Sequence, residues 1–120
     1  MSYSILVADD SSFMRTILSK IFQNTPGVRE IREANNGAEA LEMYKKKKAD
    51  LVTMDYDMPE LNGIDTAKQI RSCDPKAKIV IVTSSDKTEL RDEASKIATM
   101  GYITKPFDRM KIKELIDKLS

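Results

Sequence analysis

Residues 51–59 read LVTMDYDMP, an apolar, strand-forming run that ends in the carboxylate of Asp55. Pro59 and then Gly63 follow shortly afterwards, so the strand cannot continue far beyond this carboxylate. A charge at the end of a buried strand is costly to folding unless it has partners. In open sheets of alternating strands and helices, however, ligands bind at the carboxyl ends of the strands. Asp55 is therefore the first candidate for a reactive side chain.

The composition restricts both the chemistry and the surroundings. The chain has 120 residues, enough for one domain with its own core, and its net charge of +1 gives no reason to expect a nucleic-acid partner. It has no histidine, which excludes imidazole as a catalyst or metal ligand. The lone Cys73 cannot form an internal disulfide, and neither a membrane span nor a signal peptide is apparent. We therefore expect a monomeric single domain (1–120) in the cytoplasm, without a membrane partner.

Hydrophobic patterns predict five strands that alternate with five helices. Apolar runs predict buried strands, a charged run predicts an edge strand, and a short apolar run predicts the last strand. In chain order these strands lie at residues 4–8, 28–34, 51–55, 78–82 and 101–104. Asn36 with Glu39 and Asp86 with Glu89 predict capping boxes, and Asp108 predicts a further cap. Such alternation is typical of an α/β domain, with a parallel sheet between two layers of helices.

Five polar side chains follow four of these predicted strands. Asp9 and Asp10 follow the first strand, and Asp55, Thr83 and Lys105 end or follow the third, fourth and fifth. Because parallel strands end at one edge of a sheet, these side chains should share a crevice. Carboxylates this close resist joint ionisation unless a cation lies among them, and Mg²⁺ prefers such oxygen ligands. A carboxylate beside Mg²⁺ can act as a nucleophile toward phosphorus, while the hydroxyl and the ammonium can bind phosphoryl oxygens.

Four motifs resemble the receiver domain of bacterial two-component response regulators. They are LVADDS at 6–11, MDYDMP at 54–59 with Asn62-Gly63, VTS at 82–84 and KPF at 105–107. The likeness spans essentially the whole chain and is strongest to stand-alone receivers of the chemotaxis type, which carry no output domain. The resemblance implies a flavodoxin-like (βα)5 three-layer sandwich. Its parallel five-stranded sheet would have the order 2-1-3-4-5.

The resemblance also implies roles at the predicted crevice. Asp55 would accept a phosphoryl group from the phosphohistidine of a separate histidine kinase. Asp10 and Asp55 would bind Mg²⁺ directly, Asp9 would assist through water, and Asp57 would supply its backbone carbonyl. The protein would not be an enzyme beyond its own phosphorylation and dephosphorylation.

A switch follows from the same resemblance. Thr83 and Lys105 would contact the phosphoryl oxygens, and Tyr102 would change rotamer as Thr83 moves toward the phosphate. Since phosphorylation adds negative charge at this point, we expect the face formed by helix 4, strand 5 and helix 5 to change and bind a downstream protein. The flagellar motor switch is the first candidate, and a phosphatase is a possible partner. The side chains of Asp57 and Ser85 are expected to influence how long the phosphoryl group remains, and Lys105-Pro106 matches a bond that is usually cis in the family.

Three alternatives remain open. The receiver could be a phosphorelay intermediate that passes its phosphoryl group to a second histidine protein. The D-x-D spacing of Asp55 and Asp57 also fits haloacid-dehalogenase-type phosphatases, although those usually carry it on their first strand. A flavodoxin-like cofactor binder is disfavoured because Asp9 and Asp10 would repel a phosphate after the first strand.

Overall fold

The computed structural model describes residues 2–58, 62–84, 88–97, 100–105 and 108–119. Within these residues, strands and helices alternate along the chain. They are β1 (Tyr3–Ala8), α1 (Ser12–Gln23), β2 (Val28–Ala34), α2 (Gly37–Lys46), β3 (Leu51–Asp55), α3 (Gly63–Cys73), β4 (Ile79–Thr83), α4 (Thr88–Ile97), β5 (Tyr102–Thr104) and α5 (Arg109–Asp117). The predicted strands differ from these bounds by a single residue at most. None of the described helices is both long and apolar enough to cross a membrane.

The sheet has the order β2-β1-β3-β4-β5 and is parallel throughout, which confirms the predicted fold class. The charged strand β2 lies at an edge, and the fully buried strands β1, β3 and β4 lie in the middle. Near the carboxyl ends, Ala8 is in register with Met54, Asp55 with Val82 and Thr83 with Thr104. The strands that carry the predicted site residues therefore end together at one edge.

Two apolar layers cover the sheet, because successive strand residues point to opposite faces. Val52 and Met54 belong to the cluster that packs against α2, α3 and α4. Leu51 belongs to the other cluster, which includes residues of α1 and α5 such as Phe22 and Ile112. The result is the expected three-layer sandwich.

Side-chain caps begin four of the helices. Ser11, Asn36, Asn62 and Asp108 each accept a hydrogen bond from the backbone N–H three residues on. These caps fix where each loop from the carboxyl edge turns into a helix.

The capping box predicted for Asn36 and Glu39 is wrong in one of its two bonds. The Glu39 carboxylate accepts from the N–H of Asn35, at 3.1 Å, rather than from that of Asn36. Asn36 itself is fully extended (φ −159°, ψ 175°). The second predicted box involves Asp86, which lies outside the described residues.

Candidate functional site

Three carboxylates meet at the carboxyl edge of the sheet. Asp9 and Asp10 directly follow β1, and Asp55 is the last residue of β3. One carboxylate oxygen from each lies within 4.8 Å of the others. Asp9 and Asp55 are only 4% and 3% exposed, whereas Asp10 faces solvent. The structure thus brings these three predicted site residues together in a cluster that is open on the side of Asp10.

Lys105 reaches this cluster from the other half of the sheet. Its backbone N–H donates to the carbonyl of Thr83 at 2.7 Å, which places it immediately after β5. Its Nζ lies 3.2 Å from Oδ1 of Asp55 and 3.5 Å from Oδ2 of Asp9. The ammonium therefore bridges two of the three carboxylates across the end of β4.

The charges in this cluster do not balance. Burial raises the pKa of Asp55 to about 6, and the neighbouring Asp9 charge adds to the effect. The Lys105 ammonium and the backbone N–H of Asp57 act in the opposite direction. Burial alone would lower the pKa of Lys105, but the Asp55 and Asp9 carboxylates outweigh it and raise that pKa. Three carboxylates beside one ammonium leave room for a further cation.

A divalent cation fits the residues that are present. The cluster offers only carboxylate oxygens, the ligands that Mg²⁺ prefers. The exposed side at Asp10 leaves space for the waters and phosphate oxygens that Mg²⁺ usually retains. Asp57 is exposed, and its backbone N–H helps to lower the pKa of Asp55. Its predicted role through the backbone carbonyl stays a prediction.

Besides its contact with Lys105, Asp9 forms hydrogen bonds with three further residues. Its N–H donates to the carbonyl of Ala34 at 3.1 Å, and its own carbonyl accepts from Nη1 of Arg15 at 2.7 Å. Its Oδ1 accepts from the N–H of Ser11 at 2.9 Å. Arg15 also contacts Glu33, with 3.2 Å between Nε and Oε1. The sequence does not indicate this contact of Arg15, because every residue offers a backbone carbonyl as an acceptor.

Gly63 allows α3 to begin directly against Asp55. Its N–H donates to the carbonyl of Tyr56 at 3.1 Å. A Cβ at this position would lie 2.3 Å from the backbone oxygen of Asp55, closer than any real contact. The Asn62-Gly63 pair was noted in the sequence as part of a motif, and the structure supplies the steric reason for its glycine.

Thr83 and Tyr102 lie on β4 and β5, the strands that follow β3 in the sheet. Thr83 is fully buried as the last residue of β4. Tyr102 is the first residue of β5, and the guanidinium of Arg91 in α4 lies 5.1 Å from the centre of its ring. This distance is within the range of a cation–π contact. The predictions for Ser85 and Pro106 concern residues outside the described part of the chain.

A groove of about 460 Å³ lies between α4, β5 and α5. Tyr102 lines it, and the charged side chains among its described lining residues are Arg91, Lys111, Lys118 and Glu114. The groove therefore combines an aromatic side chain with a rim that is mostly basic.

Comparison with known proteins identifies the family and agrees with the fold. Residues 5–117 match the family model described as the response regulator receiver domain. The chain is 41% identical over 120 residues to a chemotaxis protein CheY of Thermotoga maritima, which covers 100% of this chain and 99% of the relative. A CheY of Bacillus subtilis is 36% identical over 118 residues, covering 98% of each. A chain in the crystal structure of a CheX–CheY–BeF3–Mg²⁺ complex from Borrelia burgdorferi has a TM-score of 0.89 and 29% identity, covering 98% of this chain and 88% of that one. The protein therefore belongs to the response regulator receiver domain family of two-component signalling and is similar along its whole length to CheY.

Proposed function

We propose that this chain is a phosphorylation-activated response regulator, in which Asp55 accepts a phosphoryl group from the phosphohistidine of a separate histidine kinase. The observation that carries the proposal is the buried carboxylate of Asp55, grouped with Asp9 and Asp10 and 3.2 Å from the ammonium of Lys105. These 120 residues contain no histidine, so an imidazole donor must lie outside this domain.

The proposed transfer uses Asp55 as the nucleophile. A bond forms between its carboxylate oxygen and phosphorus, and the phosphorus–nitrogen bond of the donor breaks, leaving the electron pair on the imidazole. Asp55 must be ionised for this attack, and both Lys105 and the N–H of Asp57 favour the ionised form. Asp10 and Asp55 would hold Mg²⁺ directly, with Asp9 acting through water. Bound there, the ion would neutralise charge on the carboxylates and on the phosphoryl oxygens.

The same residues provide a switch. Once Asp55 carries a phosphoryl group, Lys105 can exchange its carboxylate contact for a phosphoryl oxygen, and the Thr83 hydroxyl can donate to another. Thr83 ends β4, directly in register with Thr104 of β5, two residues after Tyr102. Any movement at the end of β4 therefore occurs next to β5, the strand that carries Tyr102 of the groove. We propose that the groove between α4, β5 and α5 binds the downstream partner.

Phosphorylation tests the first half of this proposal. The protein is incubated with Mg²⁺ and a small phosphodonor such as phosphoramidate, and the intact mass is measured. We expect one phosphoryl group per chain, none in Asp55→Asn, and an unchanged yield in Asp117→Asn. Asp117 is an exposed control at the far end of α5. Continuous release of phosphate from phosphomonoesters, without a stoichiometric phosphoprotein, would instead support the phosphatase alternative.

The downstream partner is proposed to be a flagellar motor switch protein, since several whole-chain relatives are chemotaxis proteins. The test compares binding of a purified motor switch protein to the beryllofluoride-treated and untreated chain. Treatment should increase the affinity, and a charge-removing change at Lys111 in the groove should reduce it. Chemical-shift changes confined to α1 and α2 on beryllofluoride treatment would contradict the proposed face. Transfer of the phosphoryl group to a second histidine protein would support the phosphorelay alternative.

The organisation of the protein follows the same proposal. We propose that the chain acts as a monomeric receiver domain in the cytoplasm, where a phosphatase could shorten its signal. The exposed thiol of Cys73 suits such a reducing compartment. Size-exclusion chromatography with light scattering, before and after beryllofluoride treatment, tests the monomer.

A further inference from the structure

We infer that Arg15 is a positioning residue for the metal ligand Asp10, and that it acts through the peptide bond between Asp9 and Asp10. The inference rests on the proposed Mg²⁺ site and adds to it a residue outside the carboxylate cluster.

The peptide units on both sides of Asp10 are held by hydrogen bonds. The preceding unit contains the carbonyl of Asp9, which accepts from Nη1 of Arg15 at 2.7 Å. The following unit contains the N–H of Ser11, which donates to Oδ1 of Asp9 at 2.9 Å. A peptide unit is planar, so fixing the unit before and the unit after a residue fixes both of its backbone dihedral angles. The direction in which the Asp10 side chain leaves the backbone is thereby set.

Asp10 depends more on this backbone arrangement than Asp9 and Asp55 do, because it lacks their contact with Lys105. Asp9 and Asp55 are buried, and Lys105 contacts both of their carboxylates. Asp10 is exposed, and among the described residues its carboxylate has no hydrogen-bond partner. Its backbone therefore sets the direction from which its carboxylate can reach a cation.

Arg15 is itself fixed from two directions. It lies in α1, its side chain is only 13% exposed, and its Nε lies 3.2 Å from Oε1 of Glu33 in β2. The residue after Glu33, Ala34, accepts the N–H of Asp9 at 3.1 Å. One planar guanidinium thus joins α1, β2 and the end of β1 by donating to Asp9 and Glu33 at once. A lysine at this position would keep the charge but lose this fork-shaped geometry.

Charge and positioning predict opposite effects on Mg²⁺ binding. If Arg15 acted only as a nearby positive charge, its removal would reduce repulsion and strengthen the binding of a cation. If it positions Asp10, its removal should weaken binding because the ligand is no longer held in place. Whether the affinity for Mg²⁺ rises or falls when Arg15 is replaced therefore distinguishes the two roles.

The experiment measures the Kd for Mg²⁺ without a phosphodonor, by titration calorimetry on Arg15→Lys, Arg15→Gln and wild type. We expect both variants to bind about tenfold more weakly. Lys20→Gln, which removes an exposed cation from the same helix, should bind like wild type. In an Asp10→Asn background, Arg15→Lys should cause no further loss of Mg²⁺ affinity. A general structural effect of Arg15→Lys would instead weaken Mg²⁺ binding further in that background. Wild-type affinity in Arg15→Lys with tighter binding in Arg15→Gln would overturn the inference.

A measurement on wild type covers the case in which the variants do not fold. Mg²⁺ should shift the Arg15 Nε–H resonance with the same Kd as the Asp10 amide, and an unmoved Arg15 resonance would contradict the inference. If wild type bound no Mg²⁺ at all, the proposed function itself would fail, which is a different result from equal binding by wild type and variants.

Discussion

At the scale of single residues, Gly63 shows how closely the start of α3 packs against the backbone of Asp55. Alanine is normally about 1 kcal/mol better than glycine inside a helix. Here the added Cβ would lie 2.3 Å from the backbone oxygen of Asp55, which cannot rotate away as a side chain could. We expect Gly63→Ala to lower the free energy of unfolding by about 1–3 kcal/mol and to slow phosphorylation. Urea denaturation and intact-mass kinetics measure the two effects.

The neighbouring cap is the control for this prediction. Asn62→Ala removes the side-chain bond to the N–H of Asp65 and should lower stability by about 1 kcal/mol. This change adds no atom next to Asp55, so the phosphorylation rate should stay close to that of wild type. A Gly63→Ala protein as stable and as reactive as wild type would show that the loop can move aside.

Asp55 itself should be a source of instability in the metal-free protein. Its pKa is raised from 3.8 to about 6, so the folded state binds a proton more tightly than the unfolded state. Stability therefore falls as pH rises from about 4 to about 6, and the loss persists above pH 6. We expect Asp55→Asn to be more stable than wild type at pH 8 by about 2 kcal/mol, with a smaller difference near pH 4. Denaturation curves at both pH values without divalent ions test this, and a less stable variant at pH 8 would contradict it.

At the scale of elements, a hydrogen bond joins the ends of α2 and α3. The hydroxyl of Tyr44 donates to Oδ2 of Asp74, the C-cap of α3, at 2.7 Å. This bond is the largest of the contributions that lower the pKa of Asp74. We expect Tyr44→Phe to lower the free energy of unfolding by about 1 kcal/mol. The effect should be present at neutral pH and shrink as Asp74 becomes protonated in acid.

Tyr56→Phe is the matched control, because it removes the same hydroxyl from a partly buried tyrosine for which the structure describes no hydroxyl hydrogen bond. Thermal unfolding of the two variants at pH 7 and pH 4 makes the comparison. Equal losses in both variants would show that the bond to Asp74 contributes nothing specific.

The elements and most of the site could be predicted from the sequence, because their signals are local. Asp55, Thr83 and Lys105 each end or follow an apolar run, and parallel strands bring such positions to one edge. The contact of Arg15 with Asp9 and the close approach of Gly63 to Asp55 could not be predicted in this way. Both are made to backbone oxygens near the site, and every residue offers the same backbone oxygen. Only the three-dimensional course of the chain shows which one is reached.

At the scale of the whole molecule, cation binding and stability should be linked. The folded chain groups three carboxylates that the unfolded chain separates, so Mg²⁺ should bind the folded state preferentially. At a Mg²⁺ concentration of about 100 times Kd, we expect a gain of about 2.7 kcal/mol. The gain should diminish below pH 6, where protonation of Asp55 competes with the ion.

Thermal unfolding in MgCl2, against NaCl of equal ionic strength, measures this gain. Asp10→Asn should lose most of it, whereas Asp117→Asn should keep it. The same gain in NaCl would mean that general screening, and not a specific site, is responsible.

The contact between Lys105 and Asp9 joins residues 96 positions apart. During synthesis, a nascent chain would carry Asp9, Asp10 and Asp55 well before the ammonium that bridges two of them. Closing so long a loop has an entropic cost that only the docking of the last strand can offset. Contacts of such sequence separation also slow folding. The reactive pocket is therefore completed late. An incomplete or unfolded chain contains the acceptor aspartate but lacks the assembled site, so it cannot take part in signalling.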